Sequence, residues 1–263
     1  MHNQKKLLGN LIAFLLNENH KKTVTIPDDF EGMFHLWRGL INQRPAKPIS
    51  EQYLKLEDAF LKSYYESIAL YSIKNCYQTN YKNCYLFKGD VIQLQVESVV
   101  NAANSDLLGC FIPNHTCIDN TLHTFSGFRL RLYCKQLMLN QKMKEGAGKA
   151  KLTPAFQLPA DYILHTVGPG VSPNGKVTEI RKVLLAKAYQ SCLEKAFENQ
   201  IHEIAFPCIS TGEFGFSSEI ASEIAIKTVL NWLEGHQEMK VIFVLYTDTD
   251  WELYRKKLGI KEN

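Results

Sequence analysis

The sequence predicts an α/β domain preceded by a helical extension, and three features predict it. From about residue 83 onward, short apolar runs alternate with longer segments of helical periodicity. Two of those runs, Ile204-Ala205-Phe206 and Val241-Ile242-Phe243-Val244-Leu245, are nearly continuous in apolar residues, as suits central strands covered on both faces. The residues before them show helical periodicity alone. The reading divides the chain into a helical N-terminal extension over 1–76 and an α/β domain over 77–263.

In the extension, the pairs Leu7/Leu8, Leu11/Ile12 and Leu15/Leu16 recur every four residues and predict an amphipathic docking helix. The polar stretch Asn17-Glu18-Asn19-His20-Lys21-Lys22 follows it, and Gly9 and Asn10 interrupt it. With no small-residue cleavage site, a signal peptide does not fit, and the run is too short to span a bilayer. Thr25-Ile26-Pro27-Asp28-Asp29 reads as the turn that starts a second helix through Met33, Trp37 and Ile41. Arg44-Pro45-Ala46-Lys47-Pro48 breaks that helix, and Ser50 caps a third with Leu54, Phe60, Leu61 and Tyr64 on its buried face. No chemistry suggests itself here, so packing or partner binding is the default.

In the α/β part the expected strands are Cys84–Lys88, Ser98–Asn101, Tyr162–Val167, Glu203–Pro207 and Lys240–Tyr246. The expected helices are Cys117–Asn140, read as broken, then Thr178–Gln200, Ser217–Glu234 and Asp250–Leu258. A formal charge of +3, with Arg255-Lys256-Lys257 as the longest basic block, gives no basis for a nucleic-acid or membrane partner. Seven cysteines in no secreted framework suit free thiols in a reducing cytoplasm.

Four expected strand ends are rich in Gly, Asn, Asp and Ser: Lys88–Ile92, Asn101–Asn104, His165–Pro169 and Ser210–Phe216. Ligands of open α/β sheets bind at such ends. Gly212 and Gly215 allow the backbone to turn its N–H groups inward as an anion nest, and Ser217 can cap the next helix. There is no Lys in that loop and no Walker spacing, so a diphosphate held by main-chain donors fits better than an NTPase site. Asp90 is suited to accept from an exocyclic base amine, or is simply a turn residue after Gly89. Phe216 offers a face for a ribose. Cys110, His115 and Cys117 are suitable zinc ligands, although their spacing is not a common finger pattern. Three ligands leave a fourth position open, as in catalytic zinc, whereas Cys134 would complete a structural site.

These segments together resemble the signature of macrodomains, over roughly residues 84–250. The resemblance implies a three-layer α/β/α sandwich with a central mixed sheet, and binding of ADP-ribose. On it, Asp90 would meet the adenine amine and Val91 or Ile92 the adenine pocket. Asn104 would hold the distal ribose, and Ser210, Thr211, Gly212, Glu213, Phe214, Gly215 and Phe216 would hold the phosphates. The string from Gly109 to Asn120 resembles the marker of zinc-containing macrodomains, Gly-Cys-Phe-x-Pro-x-His-x-Cys-Ile-Asp-Asn. That resemblance implies a Zn2+ cofactor and a hydrolase removing mono-ADP-ribose from the Asp or Glu side chains of proteins. Asp119 corresponds to the acidic residue of macrodomain hydrolases and would orient or deprotonate water; its alternative is a helix N-terminal charge. The bacterial enzymes of this kind are paired with a sirtuin-type transferase and a lipoylated carrier protein. A non-catalytic ADP-ribose reader and an O-acetyl-ADP-ribose deacetylase are the competing functions. His165 is expected to be hydrogen-bonded scaffold and His123 a packed core histidine.

Overall fold

The structure, a computed structural model, describes residues 2–18, 24–172 and 175–261. The extension forms α1 (His2–Glu18), α2 (Phe30–Gln43) and α3 (Glu51–Tyr65). Of the polar stretch expected after the first helix, residues 19–22 lie outside the described residues. Leu8, Leu11, Ile12 and Leu15 are fully buried, the 3-4 spacing of one helix face turned inward. Asp29 caps α2 by accepting from the Gly32 N–H at 2.8 Å, and Ser50 caps α3 by accepting from the Tyr53 N–H at 3.2 Å.

Seven strands follow: β1 (Tyr77–Gln78), β2 (Cys84–Lys88), β3 (Val96–Ala102), β4 (Ala150–Pro154), β5 (Ala160–Thr166), β6 (Glu203–Phe206) and β7 (Lys240–Leu245). They form one mixed sheet in the order β1-β2-β7-β6-β3-β5-β4. The five inner strands are parallel, and the edge strands β1 and β4 are antiparallel to their neighbours. The five expected strands are these five inner ones. The two edges went unread because a two-residue strand carries no period, and because Lys151 and Pro154 give β4 the polar texture of an edge.

The remaining helices are α4 (Ile118–Phe125), α5 (Phe128–Gln141), α6 (Glu179–Glu198), α7 (Ser218–Gly235) and α8 (Asp248–Leu258). Alternation along β7 shows the layering. Val241, Phe243 and Leu245 pack with α6, α7 and α8, while Ile242 and Val244 face the core that holds α1 to α5. The break between α4 and α5 falls at Gly127, whose φ of 84° lies where a side chain is strained. There Glu57 of α3 accepts from the Phe128 N–H at 2.6 Å, the first free donor of α5. Arg131 of α5 reaches back to the end of α2, donating to the carbonyls of Ile41, Asn42 and Arg44 at 2.8–2.9 Å. The extension thus shares one apolar core with the sheet and is pinned to α5 at both ends of α5's first turn.

Candidate active site

The parallel inner strands bring their C-terminal ends to one edge of the sheet, and a cavity of about 750 Å³ opens there. Asp90, Val91 and Ile92 line it just beyond β2, Ala103 and Asn104 beyond β3, and the Ser210–Phe214 loop beyond β6. The segment from Gly109 to Asp119 crosses it on the way to α4. Segments more than 100 residues apart in sequence therefore meet because parallel strands point the same way.

At one end, Asp90 caps a short 3-10 turn, its Oδ1 accepting from the Ile92 N–H at 3.2 Å. Burial raises its pKa, while the Ile92 N–H and the nearby Arg38 guanidinium act against the rise. Val91 and Ile92 are buried against it. Across the cavity, the N–H groups of Thr211, Gly212, Glu213 and Phe214 find no acceptor among the described residues. Unpaired donors on successive residues are what an anion nest consists of. Ser210, at φ 69°, turns the chain into this loop, and its Oγ is buried without a partner, resting against the Cα of Gly168. The structure does not bring Gly215 and Phe216 to the cavity. The Phe216 ring is packed into the core beneath α7, so the aromatic that lines the cavity is Phe214. In the segment His165–Pro169, Gly168 lies against Ser210 and Ile209, where the loop begins.

Asp119, in the first turn of α4, is buried, and both carboxylate oxygens are held. Asn101 Nδ2 donates to Oδ1 at 2.8 Å and Asn104 Nδ2 donates to Oδ2 at 3.0 Å. Burial pushes its pKa up to about 6 against those two donors and the charge of Arg131. Asn104 also donates to the Gly109 carbonyl at 3.1 Å and accepts from the Asp106 N–H at 3.0 Å, so it fixes the loop as well as the carboxylate. Behind Asn101, His165 receives the other Asn101 donor on Nδ1 at 3.1 Å and meets Thr153 Oγ1 through Nε2 at 3.0 Å. Burial holds His165 neutral, its pKa down to about 3, which makes it the hydrogen-bonded scaffold expected. His123 is also buried and neutral, with Nε2 3.7 Å from Asp119 and its ring face against Gly109.

Cys110, His115 and Cys117 converge at the rim, their ligand atoms all within 4.8 Å of one another. Cys110 Sγ and His115 Nδ1 stand 3.6 Å apart, and tetrahedral zinc with ordinary Zn–S and Zn–N bonds would span about 3.6 Å between such ligands. His115 Nε2 faces the Glu213 carboxylate at 3.5 Å, a position from which a carboxylate would orient the imidazole if Nδ1 held a metal. Asn120 ties the loop by donating to the carbonyl of Ile112 at 2.9 Å, and Cys117 Sγ accepts from the Asn120 N–H. Donor types and spacing fit zinc. A second group, His123, Cys134 and His165, is as compact but wholly buried, and both His165 nitrogens already have partners. Cys134 belongs to that group and is not brought to the rim.

Among the lining residues that escaped the sequence reading are Phe34 and Arg38 on α2 and Tyr64 on α3. Arg38 donates through Nη2 to the His115 carbonyl at 2.8 Å and to Asn120 Oδ1 at 2.9 Å. These partners are 77 and 82 residues away in sequence, and no local pattern marks such a contact.

Comparison with known proteins agrees with this geometry. The Macro domain family model matches residues 100–225. The protein-ADP-ribose hydrolase of Staphylococcus aureus (strain MSSA476) is 40% identical over 251 residues, covering 93% of this chain and 94% of that one. This chain belongs to the macrodomain family. The protein-ADP-ribose hydrolase of Treponema medium is 42% identical over 97% of this chain and 99% of its own. Among solved structures, the Trypanosoma brucei macrodomain in complex with ADP-ribose aligns with a TM-score of 0.64 at 26% identity, covering 84% of this chain and 95% of that one. The Oceanobacillus iheyensis macrodomain with ADP aligns with 0.62 at 29%, covering 69% and 93%. Among the described residues no helix is long and apolar enough to cross a membrane.

Proposed function

We propose that this macrodomain is a protein-ADP-ribose hydrolase that binds ADP-ribose and removes mono-ADP-ribose from modified side chains, with Asp and Glu esters as its substrates and zinc as its cofactor. One observation carries the reading: a buried carboxylate held by two amides, a Cys/His triad and a row of free N–H donors all face one cavity. The curated relatives named as hydrolases over nearly the whole chain support the activity.

In this reading Asp90 accepts from the adenine amine, and Thr211–Phe214 donate N–H groups to the diphosphate. The distal ribose then lies between Asn104 and the triad. Zinc held by Cys110, His115 and Cys117 would supply a Lewis acid beside that sugar. Asn101 and Asn104 hold the Asp119 carboxylate where it accepts a proton from an incoming water. Water adds at the anomeric carbon as its bond to the acceptor oxygen breaks, and the acceptor leaves as a carboxylate. The proton passes from Asp119 to solvent. A lipoylated carrier protein modified by a sirtuin-type transferase is the proposed acceptor, on the zinc-macrodomain resemblance, and the cytoplasm is the proposed location, on seven cysteines that fit no secreted framework.

The test is release of ADP-ribose from a protein automodified on carboxylates. The wild type is expected to release it, and Asp119→Asn, which keeps the shape and one of the two accepted hydrogen bonds, to slow release by about 10²- to 10⁴-fold while ADP-ribose still binds. Tight ADP-ribose binding with no release by the wild type would make the protein a reader. Release from O-acetyl-ADP-ribose alone would make it a deacetylase.

A further inference from the structure

The family match begins at residue 100, yet the cavity wall continues onto the extension. Arg38 is half-buried on α2. Its Nε and Nη2 are engaged with Asn120 and the His115 carbonyl, while Nη1 makes no hydrogen bond among the described residues. Among the described residues that line the cavity it is the sole lysine or arginine, against the carboxylates of Asp90, Asp119, Glu213 and Asp250. Beside it the rings of Phe34 and Tyr64 lie nearly parallel, 5.8 Å apart at their centroids and 13° in plane. Arg38 and Tyr64 both stand within electrostatic reach of Asp90.

We propose that the helical extension supplies the purine-facing wall of the nucleotide site, with Arg38 set against the base and Phe34 and Tyr64 as its apolar flank. The proposal rests on the ADP-ribose reading above. Two features favour the base over the diphosphate as the partner of Arg38. The unpaired N–H donors suited to phosphate lie on the Thr211–Phe214 loop, and a phosphate placed by Arg38 would also meet the Asp90 carboxylate. Flat aromatic and guanidinium surfaces beside one carboxylate acceptor instead match a purine with an exocyclic amine. Because the other edge of Arg38 grips the loop that carries His115, the same side chain joins the base end of the cavity to the triad. On this reading the extension belongs to the binding site and is more than packing.

The experiment compares AMP, ADP and ADP-ribose binding to the full-length protein and to Arg38→Met, which keeps the aliphatic stem. AMP and ADP lack the distal ribose, so a merely loosened triad loop leaves them unaffected. The expected result is a loss of about five- to tenfold for all three ligands. Loss confined to ADP-ribose would overturn the proposal by reducing Arg38 to a support for the loop. Loss for ADP and ADP-ribose with AMP unchanged would assign Arg38 to the diphosphate and overturn it as well. Failure of the wild type to bind any of the three would instead remove the ADP-ribose reading itself. Should Arg38→Met lower stability, Phe34→Leu probes the same wall with an apolar side chain retained. It is expected to weaken AMP and ADP-ribose alike, and unchanged AMP binding would count against the wall.

Discussion

Replacing Glu57 by Gln tests whether the extension and the α4–α5 break are coupled as the structure has them. Glu57 is fully buried, with Oε2 accepting from the Phe128 N–H at 2.6 Å and Oε1 accepting from the Tyr53 hydroxyl at 3.3 Å. Burial pushes its pKa from 4.5 up to about 7, outweighing those two donors. The folded protein therefore holds a proton on Glu57 between these two values that the unfolded chain has released. Stability from this group is complete below pH 4.5 and is lost as pH rises through 7. A displacement of this size corresponds to about 3 kcal/mol between pH 4.5 and pH 7.5. Gln keeps an acceptor for Phe128 and cannot titrate. Urea unfolding of both proteins across that range, at constant metal saturation, gives the difference between the two stability curves, in which other titrating groups cancel. The wild type is expected to lose about 3 kcal/mol relative to Glu57→Gln as pH rises. A difference that stays flat, or that moves the other way, refutes the argument that burial at Glu57 outweighs its two donors and the nearby Arg129 charge.

Metal analysis separates the two candidate triads. His115→Ala is expected to lose the roughly stoichiometric zinc of the wild type, and His165→Gln to keep it; loss only in His165→Gln would move the site to the buried group. At Gly168 an added Cβ would overlap Ser210 Oγ and come 2.9 Å from an Ile209 methyl, so Gly168→Ala forces Ser210 and Ile209 to shift at the start of the Ser210–Phe214 loop. Overpacking of this kind costs about 1–3 kcal/mol, so ADP-ribose affinity by calorimetry should fall at least about fivefold. Unchanged affinity would mean that the loop shifts freely. Gly109→Ala carries two penalties, a φ of 81° and a Cβ 2.7 Å from the His123 ring. It is expected to lower both the melting temperature and turnover, and a variant with wild-type turnover would show that His123 yields without disturbing Asp119.

The local chemistry was legible before the structure because it is local. Ser50 caps a helix through a bond to a residue three positions on, and the even apolar texture of β6 and β7 follows from burial on both faces. Cys110, His115 and Cys117 sit within eight residues, so one loop brings them together. The Ser210–Phe214 nest likewise follows from a glycine-rich turn after a strand. Phe216 shows the limit of that approach. Its side chain is two residues beyond the lining Phe214, and the positive φ of Gly215 intervenes before its ring is buried in the core.

By itself the sequence determined the five inner strands, the Ser50 cap, the glycine-rich loop after β6 and the closeness of Cys110, His115 and Cys117, since each depends on residues close together in the chain. Tertiary structure decided which distant groups share the cavity. It set Asn101 and Asn104 on the two oxygens of Asp119, His165 behind Asn101, and Glu213 against His115. It also turned a helical extension without chemical motifs into part of the wall, through Phe34, Arg38 and Tyr64. Side chains separated by tens of residues meet only after the sheet is assembled and the extension is packed on α4 and α5, and no periodicity or spacing encodes that encounter.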